Sequence, residues 1–211
     1  METLDLRKQF KHLYNPSAKK VDVVDVPALQ FAMVDGRVAA GEGPADSADF
    51  REAVAALYGV SYTLKFMFKK RPVDPVDYPV MFLEGLWITE SRGYSTVERE
   101  AMTFTVMIMQ PDFITAELFE EARAQLAKKH PGPGPARLRL ETFTEGLCVQ
   151  TLHIGPYATE PETVARLDAF MVEFGYTGDA ATPEIYTSDP FKTAPERLKT
   201  VLRHPVIASR S

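Results

Sequence analysis

The sequence has a single cysteine, Cys148, and therefore no intrachain disulfide. One thiol gives no support for a cysteine-based metal site, and the four histidines show no metal-ligand spacing. A phosphate-binding loop and the G-x-S-x-G motif of serine hydrolases are absent as well. We therefore expect neither a metal nor a cofactor, and we expect any function to depend on a pocket.

Long apolar runs and a strong net charge are also missing. No segment approaches the ~20 apolar residues of a membrane-spanning helix, and the N-terminus lacks the apolar core of a signal peptide. The net charge of −5 gives no basic footprint for a nucleic-acid backbone, and the run Lys69-Lys70-Arg71 is typical of a solvated helix end. These absences predict a cytoplasmic protein that binds neither membranes nor nucleic acid.

The composition is that of an ordinary soluble globular protein, with 45% apolar and 25% charged residues in a chain of 211. A chain of this length buries roughly 70% of its unfolded surface, which is enough for one domain or two small modules around a shared core. Residues 1–20 are polar and basic and too few for a helix-turn-helix. We interpret them as an N-terminal arm that precedes a domain over residues 21–211.

Hydrophobic periodicity predicts three main helices. The first begins after a cap at Asp46, and Gly59 inside it marks a bend. The second begins after Thr115, and the third begins with a capping box at Thr159 and stops at Gly175. The predicted strands are 29–34, 79–89, 101–110, 136–143, 147–154, 183–187 and 200–207.

The order of these elements is repeated along the chain. Strand, glycine turn, helix and two strands occur over 29–110 and again over 147–207, and the connections at Gly93 and at 144–146 are typical of hairpins. The repetition predicts an α+β fold of two strand-helix-strand-strand modules, approximately 21–130 and 136–211, with antiparallel sheets and covering helices. We expect a ligand cleft at the junction of the modules.

Two segments near the C-terminus carry the clearest ligand signal, His153-Ile154-Gly155-Pro156-Tyr157 and the carboxylate-containing run Pro183–Pro190. Together with Ala56–Tyr58, Leu83–Trp87 and Met107–Thr115, they resemble the GyrI-like small-molecule-binding family over nearly the whole chain. The resemblance implies a domain that binds hydrophobic, often cationic, small molecules. In regulators that share the domain, a DNA-binding segment precedes it.

Because the arm is too short for such a segment, the chain resembles the stand-alone branch of the family. Members of that branch bind xenobiotics, and some resemble hydrolases of cyclopropane-bearing DNA-alkylating compounds that use an aromatic cage. The branch usually has a second tryptophan after the one matching Trp87 and another aromatic residue before the Met-Ile strand, where this chain has Ile88 and Phe104. These departures predict a changed substrate or a loss of turnover.

Glu184 and Tyr186 are two residues apart in a predicted strand, so their side chains leave the same face of the sheet. If that face is apolar, burial raises the pKa of Glu184, which then attracts a cationic ligand or positions a water as general base. The alternative is a surface carboxylate. In an enzyme, Glu184 and Tyr186 are the expected catalytic residues.

Aromatic residues supply the rest of the predicted site. Trp87 shares a strand face with Gly85, and it is either a platform for a flat or cationic ligand or a core anchor. Tyr62 belongs to a helical stripe with Tyr58 and Phe66 that would suit a core face equally well, and of the three only Tyr62 is expected to contact ligand. Tyr157 precedes a helix N-terminus, where anions can bind, but packing of the turn is the alternative. The predicted ligand-binding residues are Glu184, Trp87, Tyr62, Phe104, Tyr186 and Tyr157.

Two functions from different classes follow from this site. The first is a binding protein that sequesters hydrophobic or cationic xenobiotics without chemistry. The second is a hydrolase in which Glu184 activates water while Tyr186 or Tyr62 stabilises the developing oxyanion. An effector module that acts through a protein partner is a third option, and the sequence does not identify such a partner.

Overall fold

The computed structural model describes residues 2–89, 100–178, 182–190 and 192–208. The strands are β1 (Glu2–Thr3), β2 (Asp22–Val26), β3 (Leu29–Val38), β4 (Val76–Asp77), β5 (Leu83–Thr89), β6 (Met102–Met109), β7 (Arg139–Phe143), β8 (Gly146–Ile154), β9 (Tyr176–Gly178), β10 (Thr182–Tyr186) and β11 (Lys199–Ala208). The helices are α1 (Leu6–Gln9), α2 (Lys11–Tyr14), α3 (Ala48–Lys69), α4 (Ala116–Lys129), α5 (Gly134–Arg137) and α6 (Glu160–Phe174). Within these ranges, none of the helices has the length and apolar character needed to span a membrane.

One antiparallel sheet of nine strands forms the centre of the fold. Its strand order is β2-β8-β11-β10-β5-β6-β3-β7, with β9 paired to β11, while β1 and β4 form a separate parallel pair. The predicted α+β class is therefore confirmed. The strands of both predicted modules belong to this single sheet, in which β5 pairs with β10. The internal duplication, and the division at 21–130 and 136–211, stay predictions.

Helices α3 and α6 cover the same face of this sheet. Phe50 of α3 packs on Phe104 of β6, with ring centroids 5.3 Å apart, and Leu167 of α6 packs with Leu202 of β11. The strand registers place Phe104 and Leu202 on one face. Because α3 packs on β3 and β6 while α6 packs on β8 and β11, the β5–β10 pair lies between the two helices.

The N-terminal arm packs on the opposite face of the sheet. Leu13 and Tyr14 in α2 are buried, with 0% and 4% of their surface exposed. Arg203 Nη2 donates a hydrogen bond of 2.8 Å to the Leu13 carbonyl, and Gln150 Nε2 donates one of 2.7 Å to the His12 carbonyl. The arm is thus part of the core, a role that its polar and basic composition did not indicate.

The predicted hairpin of β7 and β8 is wrong, whereas β5 and β6 pair antiparallel as expected. β7 pairs with β3, and β8 pairs with β2 and β11, at the other end of the sheet. Two residues separate Phe143 from Gly146, so the strand ends lie within ~11 Å of each other. The sheet must therefore curve around the arm. The Gly93 connection between β5 and β6 lies outside the described residues.

The helix termini differ from the predicted caps in two of three cases. Ser47, not Asp46, caps α3 by accepting a hydrogen bond from the Phe50 N–H. Thr115 caps α4 as predicted. The capping box at α6 is wrong, because the Thr159 hydroxyl donates to the Pro156 carbonyl, 2.8 Å away, and caps no helix N–H. The predicted stop of α6 at its glycine is confirmed, with φ 68° at Gly175.

Gly59 lies inside α3, which runs without interruption from Ala48 through Lys69, and the expected bend there stays a prediction. A Cβ built at Gly59 would lie 2.7 Å from Leu126 Cδ1 of α4. The missing side chain at Gly59 therefore leaves room for Leu126 where α3 and α4 pack together.

Candidate ligand-binding site

The site centres on four residues of β5 and β10, which we call the central strip: Gly85, Trp87, Glu184 and Tyr186. Glu184 lies directly opposite Gly85, and the residue opposite Trp87 on β10 is Thr182. Alternation along the two strands places all four on the face that carries α3 and α6. The strip therefore lies at the middle of the sheet, between the two helices.

A chain of hydrogen bonds joins the side chains of the strip. The Trp87 indole N–H donates to the Tyr186 hydroxyl at 2.8 Å, and that hydroxyl donates to Glu184 Oε2 at 2.7 Å. Glu184 is 9% exposed, whereas Trp87 and Tyr186 are half-buried. These hydrogen bonds fix the orientation of the largely buried Glu184 carboxylate on β10, and they begin at Trp87 on the neighbouring strand β5.

Gly85 provides the space for this chain. A Cβ at Gly85 would lie 2.7 Å from Trp87 Nε1 and 3.4 Å from the Tyr186 hydroxyl oxygen. The space that Gly85 leaves beside the indole is therefore occupied by the edge of the indole itself and by the phenol. Any larger side chain at this position would displace the hydrogen-bonded pair.

Burial raises the pKa of Tyr186 well above its usual range, and the charge of Glu184 raises it further. Burial likewise raises the pKa of Tyr157 to about 12, with smaller contributions from Glu160 and Glu184. Both phenols consequently remain protonated in the neutral pH range. Tyr186 thus acts as a hydrogen-bond donor to Glu184 and not as a base.

Two aromatic rings pack against the indole of Trp87. The indole lies 5.4 Å from the Phe50 ring at an interplanar angle of 31°, and 5.8 Å from the Phe104 ring at 57°. Phe104 is only 2% exposed and belongs to the main core. The structure therefore places Phe104 beside the indole, directly opposite Trp87 on the neighbouring strand. Ile88 lies on the opposite face of β5, so that departure from the family pattern leaves the strip itself unchanged.

Tyr157 and Tyr62 lie in different relations to the strip. The Tyr157 ring meets Tyr186 edge-on, with centroids 6.1 Å apart at 88°, and 43% of Tyr157 is exposed. Tyr62 is 47% exposed and stacks between Tyr58 and Phe66 on α3, with both centroid separations 6.4 Å. The structure thus brings Tyr157 to the central strip and places Tyr62 in a separate row of rings on α3.

Two cavities in the described part of the chain lie away from the strip. One of about 410 Å³ is lined mainly by reverse-face residues, including Leu86, Ile88, Thr103 and Thr105. The other, of about 520 Å³, lies between the arm and β2. The predicted cleft at the strip therefore rests on its position between α3 and α6 and stays a prediction.

The sequence of residues 19–207 matches the GyrI-like small molecule binding domain. This match spans most of the chain. The protein belongs to the GyrI-like family. Small-molecule binding is thus the general function of the domain to which the central strip belongs.

Solved structures agree with this GyrI-like assignment. An uncharacterized conserved protein from Listeria innocua is 38% identical, with a TM-score of 0.85, and the match covers 97% of this chain and 100% of that chain. A hydrolase from Listeria innocua is 35% identical, with a TM-score of 0.85, over 98% of this chain and 100% of that chain. The EcmrR C-terminal domain shares the fold, with a TM-score of 0.53 at 11% identity over 90% of this chain and 98% of that chain. None of the curated proteins matches the chain.

Sequence reasoning missed two side chains at the candidate site. The sequence gives no ligand signal at Phe50, yet Phe50 packs against the indole of Trp87. Glu160 is 3% exposed at the start of α6, and its charge raises the pKa of both Tyr157 and Tyr186. A carboxylate in the first turn of a helix is ordinarily explained by its favourable interaction with the helix dipole. The sequence therefore gave no indication that Glu160 is buried.

Proposed function

We propose that the protein binds hydrophobic or cationic xenobiotics on the central strip, in a cleft between α3 and α6, without altering them. The observation that carries this proposal is the hydrogen-bonded chain from Trp87 through Tyr186 to the buried Glu184. It combines an aromatic platform with one oriented carboxylate, which is the usual composition of a site for apolar ligands with few polar contacts.

The charge of Glu184 favours a cationic ligand. A carboxylate that is 9% exposed has lost most of its hydration, so a cation beside it is attracted more strongly than in bulk water. Tyr186 satisfies one carboxylate oxygen, and the indole face of Trp87 adds attraction through its quadrupole. Flat or bulky apolar groups contribute further affinity by burial, which does not require one exact shape.

A matched pair of ligands tests this proposal. One is a naphthalene that carries a trimethylammonium group, and the other is its uncharged tert-butyl isostere. We expect Glu184→Gln to weaken binding of the cation about tenfold or more while changing the affinity for the neutral isostere less than about twofold. Titration calorimetry measures both affinities.

Glu173→Gln is the control, because Glu173 is an exposed carboxylate on α6. It removes the same charge from the protein without touching the strip. Equal losses for the cation and its isostere in Glu184→Gln, or equal losses in both variants, would show that Glu184 does not recognise the cation.

The alternative function is hydrolysis of a cyclopropane-bearing or similar electrophile in the same place. It is favoured by the two Listeria innocua relatives described as hydrolases, at 35% and 36% identity. In this reaction Glu184 accepts a proton from water, the water oxygen bonds to the electrophilic carbon, and the strained carbon–carbon bond breaks. The bond electrons pass to the attached conjugated group. Glu184, once protonated, donates to the Tyr186 oxygen, and Tyr186, held protonated by its raised pKa, then turns its O–H to the developing oxyanion. Protonation of that group completes the addition of one water.

Mass spectrometry separates the two functions. A hydrolase converts a cyclopropane-bearing electrophile into a product that is heavier by one water, and Glu184→Gln retains binding but loses at least about a hundredfold in rate. A pure binding protein returns the compound unchanged from a tight complex. Trp87→Phe is expected to weaken binding in either case.

A further inference from the structure

A cluster of buried polar side chains lies on the reverse face of the sheet, behind the central strip. Glu84 on β5 is 0% exposed and accepts a hydrogen bond of 2.8 Å at Oε1 from the hydroxyl of Tyr14. Its other oxygen, Oε2, has no hydrogen-bond partner among the residues that the structure describes. The same Tyr14 hydroxyl lies 3.5 Å from Met109 Sδ.

The charged groups that face Glu84 are few. Arg203 on β11 attracts the carboxylate, Glu145 before β8 repels it, and Tyr14 from the arm donates to it. Arg203 is itself paired with Glu145 at 2.5 Å, with both side chains 1% exposed, and its Nε donates to Gln150. The repulsion from Glu145 therefore offsets part of the attraction from Arg203, and the effect of burial on Glu84 is larger than either.

The hydrogen-bond geometry favours a protonated Glu84. When Glu84 is ionised, Tyr14 donates to Oε1, and Oε2 keeps a partial negative charge with no donor in an apolar setting, which is costly. When Glu84 is protonated at Oε1, it donates to the Tyr14 oxygen, and Tyr14 donates to Met109 Sδ. Only a neutral carbonyl oxygen then lacks a partner. Burial accordingly raises the pKa of Glu84 to about 7.

Glu84 is connected to the strip through the strands themselves. It immediately precedes Gly85 on β5 and lies opposite Ile185, which separates Glu184 from Tyr186 on β10. Any shift of the backbone at Glu84 therefore moves Gly85, and with it the space that the Trp87 indole and the Tyr186 phenol occupy. Glu84 is fully buried and Tyr14 of the arm contacts its carboxylate, so water that hydrates the ionised form would have to enter where the arm packs on the sheet.

We propose that Tyr14 and Glu84 are positioning residues for the ligand site. When Glu84 carries a proton, the arm packs on the sheet and fixes the geometry of the β5–β10 pair. When that proton is lost, the arm packs less tightly and the geometry of the pair is less well fixed. This inference rests on the proposed function, because the central strip is the site that is positioned.

The test is the pH profile of binding for an uncharged dye, N-phenyl-1-naphthylamine, whose affinity does not depend on an ion pair with Glu184. In the unaltered protein we expect the dissociation constant to rise at least about threefold between about pH 6 and about pH 8. Glu84→Gln, a neutral isostere, should bind at the low-pH affinity throughout. Tyr14→Phe removes a donor that stabilises the ionised form, so the midpoint of its profile should move to higher pH.

Tyr78→Phe is the matched control for Tyr14→Phe, since Tyr78 is 3% exposed and its hydroxyl has no partner in the described residues. A merely structural role for Tyr14 predicts a loss of affinity by the same factor at every pH, which would overturn the proposal. A profile for Glu84→Gln that parallels that of the unaltered protein would overturn it as well.

Hydrogen exchange supplies a readout that needs no ligand. Amides of residues 10–14, corrected for intrinsic rates, should exchange faster at about pH 8 than at about pH 6 in the unaltered protein and equally in Glu84→Gln. Equal protection at both pH values in the unaltered protein would contradict the inference. If the dye and the cation bind and depend on the strip, but the Glu84 variant shows no difference in either assay, only this inference fails. If neither probe binds, the proposed function fails with it.

Discussion

At the scale of single residues, the sequence predicted which face of a strand a side chain occupies better than it predicted the contacts between side chains. The two-residue spacing placed Glu184 and Tyr186 on one face, as the structure has them. The bond from Trp87 to Tyr186 was not predictable, because it joins residues 99 positions apart through the pairing of β5 with β10. Local periodicity carries no information on which distant strands become neighbours.

Gly85 gives a prediction at this scale. Gly85→Ala introduces a Cβ 2.7 Å from Trp87 Nε1, so the indole must move and its bond to Tyr186 breaks. We expect a loss of about 1–3 kcal/mol in the free energy of unfolding and a shift in the fluorescence of Trp87. Gly132→Ala is the control, because its Cβ would meet only Glu52 Oε1 at an ordinary 3.5 Å. An unchanged Trp87 spectrum in Gly85→Ala would contradict the packing described here.

At the scale of elements, the existence of helices and strands followed from periodicity, but their partners and termini followed less often. Gly146 correctly indicated a turn. The turn, however, connects β7 at one edge of the curved sheet to β8 near the other edge, and the two strands form no hairpin. Serine and aspartate both accept a hydrogen bond from a helix N–H, so residue type does not distinguish Ser47 from Asp46 as a cap. Ser47 is the cap of α3 because its side chain is the one within reach of the Phe50 N–H.

The contact of α3 with α4 gives a prediction for these elements. Alanine favours a helix over glycine by ~1 kcal/mol, but at Gly59 its Cβ would overlap Leu126. Gly59→Ala should therefore destabilise the protein, whereas in the background of Leu126→Ala it should stabilise it by ~1 kcal/mol. Urea unfolding of the four proteins completes the cycle. The same effect of Gly59→Ala in both backgrounds would show that Leu126 does not require the glycine.

At the scale of the whole molecule, the arm was the feature least visible in the sequence. Its polar and basic residues suggested a segment outside the domain, but Leu13 and Tyr14 enter the core. The arm from His12 to Tyr14 bonds to buried polar groups from three strands. Those contacts depend on the curvature of the sheet, which no local pattern encodes. The arm therefore contributes to stability as well as to the proposed positioning of the site.

This burial predicts a dependence of stability on pH. The folded-state pKa of Glu84 is about 7, above its usual 4.5, so the folded protein holds the proton more tightly than the unfolded chain. The contribution is complete below the unfolded value and is lost as pH rises through 7. Relative to Glu84→Gln, the unaltered protein should lose about 2–4 kcal/mol in the free energy of unfolding between about pH 5 and about pH 8. Chemical denaturation at each pH measures the difference, and a constant difference would contradict an ionisable, buried Glu84.

The fluorescence of Trp87, the sole tryptophan of the chain, tests whether ligand binds on the central strip. A cationic naphthalene ligand bound on the central strip should change the Trp87 emission saturably, with the same dissociation constant that calorimetry gives. In Glu184→Gln both signals should weaken together, by about tenfold. Tight binding by calorimetry with unchanged Trp87 emission would place the ligand elsewhere and contradict the account.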